Sequence, residues 1–135
     1  MRMPATIPPD MLAICGVNCL ACSSHLHAKK PCPGCCAPRE AHTRKSCRDC
    51  QKKTCATEKG LTHCFLCEDF PCQSVKKMSK RYQKGYGVDL IANGLWAKQD
   101  MSAFLADQQT CFTCTCGGII DQHHRVCSIC STPAP

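Results

Sequence analysis

Six pairs of cysteines in this chain are separated by two residues: Cys19 with Cys22, Cys32 with Cys35, Cys47 with Cys50, Cys64 with Cys67, Cys111 with Cys114, and Cys127 with Cys130. That gap lets both sulfurs of a tight turn face one ion, and a tetrahedral zinc takes four such ligands. Twelve cysteines lie between Cys15 and Cys72, room for three zincs at most, and a C-terminal block supplies a fourth site. The expected cofactor is therefore Zn(II), three to four per chain. Spacing groups Cys47, Cys50, Cys64 and Cys67 into one set and Cys19, Cys22, Cys32 and Cys35 into another. Cys15, Cys36, Cys55 and Cys72 then make a third set or exchange with the first two. In the C-terminal block Cys111, Cys114, Cys116, Cys127 and Cys130 compete for four places, because the CxxC of Cys111 and Cys114 overlaps the CxC of Cys114 and Cys116. His123 and His124 are further ligand candidates, but with thiols in surplus they are expected as exposed turn residues.

Seventeen cysteines in 135 residues exceed the level at which thiols must enter the account of the fold. Disulfides are the competing chemistry, typical of secreted domains with a signal peptide and an even cysteine count. Here the count is odd, and the N-terminus, MRMPATIPPDMLAICG, has prolines where an apolar signal core would lie. No apolar run reaches the roughly 18 residues that would span a bilayer. A cytoplasmic location, metal-bound thiolates and no membrane partner are the expectation.

The metal also has a structural task. The 58 residues from Cys15 to Cys72 contain only seven large apolar side chains, Val17, Leu20, Leu26, Leu61, Phe65, Leu66 and Phe70. Their burial cannot offset the ordering of so long a segment, whereas a structural zinc contributes an apparent ~10 to 16 kcal/mol.

The elements that must position these thiols follow from punctuation and periodicity. Residues 1–11 are proline-rich and read as a flexible arm. Residues 12–72 form a cysteine-rich metal-binding domain, in which Pro31, Pro33, Gly34 and Pro38 favour loops and knuckles over long elements. Residues 73–110 lack cysteine and regain helical period. After Pro71, Val75, Met78 and Tyr82 recur on one face while Lys76, Lys77, Lys80, Arg81 and Lys84 take the other, predicting an amphipathic helix that ends before Gly85. Two further helices are predicted, about Asp89 to Lys98 with Ile91 and Leu95 inward, and Asp100 to Gln108 around Phe104 and Leu105. Residues 111–135, with Gly117 and Gly118 before Ile119 and Ile120, have the layout of a zinc ribbon. The fold class expected is a small metal-stabilised α+β protein: a loop-rich cysteine knuckle domain, a short helical bridge and a C-terminal zinc-ribbon-like hairpin.

The order CGVNCLAC from Cys15, CPGC from Cys32, CRDCQKKTCATEKGL from Cys47 and CFLCEDFPC from Cys64 resembles the cysteine-rich family called domain of unknown function 3795, made up of small bacterial and archaeal proteins. The resemblance extends through RYQKGYGVDLIANGL to CTCGGII and CSIC, covering roughly residues 12 to 130. It implies metal binding, with zinc as the metal, and carries no established activity. Asp121 departs from the pattern, standing where many relatives are expected to have another cysteine.

Other functions are weighed on the same residues. A redox or electron-transfer protein with an iron–sulfur cluster as the alternative cofactor is the first rival, since thiolates also bind iron. CxxxCxxC at Cys15, Cys19 and Cys22 matches the ligand spacing of radical S-adenosylmethionine enzymes, but this chain lacks the alternating strands and helices of their barrel. The CxxCxxCxxxCP run of bacterial ferredoxins is also missing. The formal charge of +7 points toward nucleic acid. Zinc bound by four thiolates carries about −2, however, so the filled protein is near neutral. Local basic patches remain at Arg44, Lys45, Arg48, Lys52 and Lys53 and along the first helix. The partner expected is an acidic protein or nucleic acid contacting Lys76, Lys80 and Lys84. No carboxylate pair, phosphate loop or serine nucleophile identifies a small-molecule substrate, so an interaction module is favoured over an enzyme.

Overall fold

The computed structural model describes residues 1–27, 29–42 and 44–135. It is a small α+β fold in which short turns and one-turn helices carry the first cysteines, three longer helices follow, and a two-stranded hairpin closes the chain. In the cysteine-rich part, α1 (Ser23–Leu26), α2 (Lys45–Arg48) and α3 (Gln51–Glu58) alternate with single 3-10 turns. The bridge consists of α4 (Gln73–Tyr86), α5 (Leu90–Gln99) and α6 (Met101–Cys111).

Helix α4 buries Val75 and Ser79, with Met78 and Tyr82 half-buried on the same side and its lysines exposed. It runs past Gly85 and stops at Gly87, whose left-handed backbone (φ 69°) turns its N–H back to the Gln83 and Tyr82 carbonyls. Gly85 is thus an interior helix residue, and the expected end lay two residues too early. Asp89 and Asp100 cap α5 and α6, accepting from the Ala92 and Ala103 amides at 3.0 Å each.

The inward face of α5 is Leu90, Gly94 and Ala97, with Leu95 53% exposed. The expected Leu95 orientation is corrected by Gly94. A Cβ there would sit 2.7 Å from Phe70 Cζ and 3.2 Å from Phe65 Cβ, so the cysteine-rich domain packs directly on helix backbone. Leu66, counted among the apolar residues of that domain, is also exposed.

The main core joins all segments. Leu12, Leu20, Phe65, Phe104, Leu105, Phe112, Ile119 and Ile120 are buried together. Ile7, only 1% exposed, belongs to the same core. Residues 1–11 are therefore held along the C-terminal hairpin: the Met3 amide donates to Gly117 O and the Ile119 amide to Met1 O. The expectation of a loose arm gives way because Ile7 supplies apolar surface that the small core needs. A buried polar chain adds specificity, with Asn18 Nδ2 donating to Gln108 Oε1 (3.2 Å) and Gln122 Nε2 to Asn18 O (2.8 Å).

Strands β1 (Ile120–Asp121) and β2 (Val126–Cys127) pair antiparallel, Ile120 opposite Cys127 and Asp121 opposite Val126. No helix among the described residues is long and apolar enough to cross a membrane.

Candidate metal centres

The hairpin brings Cys114, Cys116, Cys127 and Cys130 together, with all four sulfurs within 4.8 Å of one another. Among the described residues this is the one metal-capable group of three or more that close. Two turns build it. Gly117, at φ 87°, donates to Cys114 O, and the Gly118 amide points at Cys116 Sγ (3.4 Å). On the return, the Ile129 amide points at Cys127 Sγ (3.4 Å). Such amides place positive dipoles against sulfur and favour the thiolate. Gly118 is required, because a Cβ would lie 2.7 Å from Cys127 Sγ.

Cys114 and Cys130 sulfurs are 3.7 Å apart, and Cys116 and Cys127 sulfurs 3.5 Å. Four sulfurs at ~2.3 Å from a tetrahedral zinc are separated by about 3.8 Å, close to both of these distances, so the four thiols are placed to take a metal ion. The Thr132 hydroxyl and amide lower the Cys130 thiol to about 6. Cys111 stands outside the group. It ends α6 with its thiol on Asp107 Oδ2 at 3.7 Å, and burial together with that carboxylate raises its pKa. In the competition among Cys111, Cys114 and Cys116, Cys111 is the surplus thiol.

The cysteine-rich domain arranges its thiols differently. Cys15, Cys19, Cys22, Cys32, Cys35, Cys47 and Cys50 line one cleft of about 1000 Å³, roofed by Met78, Arg81, Tyr82, Tyr86 and His123. The Cys35 amide donates to Cys19 Sγ (3.3 Å). The Cys19 contact and burial hold the Cys35 thiol far above its usual range, and burial pushes Cys15 up to about 12. Crowded thiols of this kind give up their protons when a cation takes their place.

Cys47 and Cys50 line this cleft beside Cys32 and Cys35, while Cys64 and Cys67, which spacing groups with them, are not among its lining residues. Burial raises the Cys64 thiol to about 11, and the charges of Cys72 and Cys55 add to the shift. Cys67 accepts from Lys59 Nζ at 3.2 Å and from the Asp69 amide at 3.4 Å. Cys36 turns away and donates to Leu12 O at 3.2 Å. None of the 17 cysteines is in a disulfide.

Residues 11–77 match the family model described as "Protein of unknown function (DUF3795)". Over that stretch the chain belongs to this family. The DUF3795 segment covers the first cysteine block and the start of α4, and the four-thiol hairpin lies beyond it. No curated protein and no solved structure matches the chain.

Sequence reasoning missed the role of Asp121. Its carboxylate is fully buried beside the hairpin, where Oδ2 meets His124 Nδ1 at 2.8 Å and His27 Nε2 at 3.0 Å, while Oδ1 accepts the His123 amide at 2.7 Å. It fastens the DUF3795 segment to the hairpin. His124 is exposed, as expected of a turn residue, but His123 is only 13% exposed at its side chain and is packed on Tyr82. The signal was DQHH itself, an acid followed, one residue on, by two adjacent histidines.

Burial raises the Asp121 pKa, but the His124 hydrogen bond and the two backbone amides outweigh it, and the net direction is down. A carboxylate with a depressed folded pKa contributes stability above its unfolded value, near 3.9, which is lost as pH falls through the folded value. Asp121→Asn is expected to cost about 1 to 3 kcal/mol at pH 7. Its difference from wild type should shrink below about pH 4. Urea unfolding of both proteins across pH checks this, and a pH-independent difference contradicts the assignment.

Proposed function

We propose that this is a structural zinc protein whose metal-built scaffold presents the basic face of α4 to an acidic macromolecule. The observation that supports the zinc reading is the hairpin set, in which two sulfur pairs, 3.7 and 3.5 Å apart, lie close to the edge length of a zinc tetrahedron. Cys114, Cys116, Cys127 and Cys130 would hold one ion, and the cleft thiols with Cys55, Cys64 and Cys72 the others. Bound zinc supplies folding energy there and, with four thiolates, keeps no open position for substrate. Such sites suit a reducing compartment, in keeping with a cytoplasmic role.

Lys76, Lys77, Lys80 and Lys84 are exposed along α4, opposite the side that packs on the thiol cleft. A rigid row of cations one helical turn apart suits a phosphate backbone or an acidic protein surface. Replacing Lys76, Lys80 and Lys84 together by Gln should leave zinc content and circular dichroism intact. Binding to duplex DNA or polyglutamate should weaken, with the DNA salt slope falling by up to about 3. The same charge change at exposed Lys29, Lys30 and Lys98 serves as control. Equal weakening by both triple variants would reduce the stripe to a solvated face.

A further inference from the structure

Cys36, Cys67 and Cys111 stand outside the thiols proposed to hold metal, and their surroundings differ. Cys36 donates to Leu12 O, and Cys111 faces the Asp107 carboxylate, so each of these thiols is turned toward an acceptor. Cys67 faces donors instead. Lys59 Nζ approaches its sulfur to 3.2 Å and the Asp69 amide to 3.4 Å, while Lys59 Nζ also reaches Asp69 Oδ2 at 3.3 Å. An ammonium and an amide that both donate to one sulfur favour the thiolate, which is the nucleophilic form.

Two local turns build this cluster. Lys59 caps α3, and Gly60, at φ 68°, reverses the chain so that its own amide meets Thr57 O and the Leu61 amide meets Ala56 O. Cys67 closes the 3-10 turn Cys64–Leu66, its amide on Cys64 O. Cys67 and then Asp69 hold the Lys59 ammonium above its usual range, so it is charged at neutral pH. The Lys59 and Asp69 side chains are 43% and 68% exposed and Cys67 is half-buried, which leaves the sulfur open to a small solute.

We propose that Cys67 and Lys59 are a redox-sensitive pair that closes into a sulfur–nitrogen cross-link when hydrogen peroxide reaches it. The Cys67 thiolate attacks one peroxide oxygen, the O–O bond breaks, and the Lys59 ammonium gives a proton to the departing hydroxide, which leaves as water. Cys67 is then a sulfenic acid and Lys59 a neutral amine. The amine nitrogen displaces the sulfenic oxygen as a second water, leaving Cys67 Sγ bonded to Lys59 Nζ. Sulfur is oxidised by one electron pair and the peroxide is reduced by the same pair. The bond ties the end of α3 to the Cys64–Leu66 turn, and excess thiol reverses it, returning thiol and amine and becoming a disulfide.

The test treats the full chain, with the metal it carries on purification, with equimolar hydrogen peroxide, then alkylates free thiols and digests with trypsin. The expected product is a peptide left uncut at Lys59, lighter by one pair of hydrogen atoms, with Cys67 unalkylated and cleavage at Lys59 restored by dithiothreitol. Lys59→Arg keeps the cation and should stop at the sulfenic acid, captured by dimedone present during oxidation, with no link. Lys59→Gln should slow the oxidation of Cys67 itself, and Cys67→Ser should keep the full metal count. A disulfide from Cys67 to Cys64 in place of the link, or equal oxidation of Cys67 in Lys59→Gln, would overturn the proposal. So would loss of a metal ion from Cys67→Ser, which would make Cys67 a ligand.

Discussion

A strong chelator at neutral pH is expected to unfold the cysteine-rich domain, beginning between residues 29 and 62. Within that stretch the buried apolar side chain among the described residues is Ala56, while Pro31, Pro33 and Pro38 interrupt its secondary structure. A structural zinc contributes ~10 to 16 kcal/mol, as much as the whole stability of a typical small domain. Nothing in the side-chain packing of the described residues between 29 and 62 replaces it. The cluster around Phe104, Leu105 and Ile119 has its own apolar contacts and should lose protection last. Amide spectra recorded before and after chelation separate the two regions. Collapse of the signals from 29–62 is the expected result, and an unchanged, dispersed spectrum would mean that packing alone holds the domain. Acid should act in the same direction by protonating the thiolates.

The second large effect is expected at the hairpin. Cys127→Ser removes a buried thiol from a set of four whose sulfurs lie within 4.8 Å of one another, so one metal should leave each chain and the hairpin should lose its order. Cys111→Ser, a change of the same size 16 residues earlier, should keep the full metal count because its thiol faces Asp107. Metal counting on both variants distinguishes them. Loss of metal from Cys111→Ser with retention in Cys127→Ser would reverse the assignment of the surplus thiol.

Local chemistry was legible in the residues, and long-range pairing was not. Asp89 and Asp100 announced their helices because a cap acts within three residues. The face of α4 was likewise written in its period. The inward face of α5 depended on Phe65 and Phe70 approaching Gly94 from another segment, which no window around Leu95 contains. Cys47 and Cys50 have the same spacing as every other pair, so nothing local states that they line a cleft with Cys32 and Cys35. Cys111 and Cys114 form a regular CxxC pair, yet α6 extends through Cys111 and carries its thiol away from the hairpin. Asp121 was read as a missing ligand, and its carboxylate serves instead to join His27 to the hairpin.

Elemental analysis of protein purified without added metal, combined with its visible spectrum, reads the identity and number of bound ions together. Three to four zinc ions per chain and a colourless solution are expected. Less than one zinc per chain, or stoichiometric iron with visible absorbance, would contradict the zinc reading.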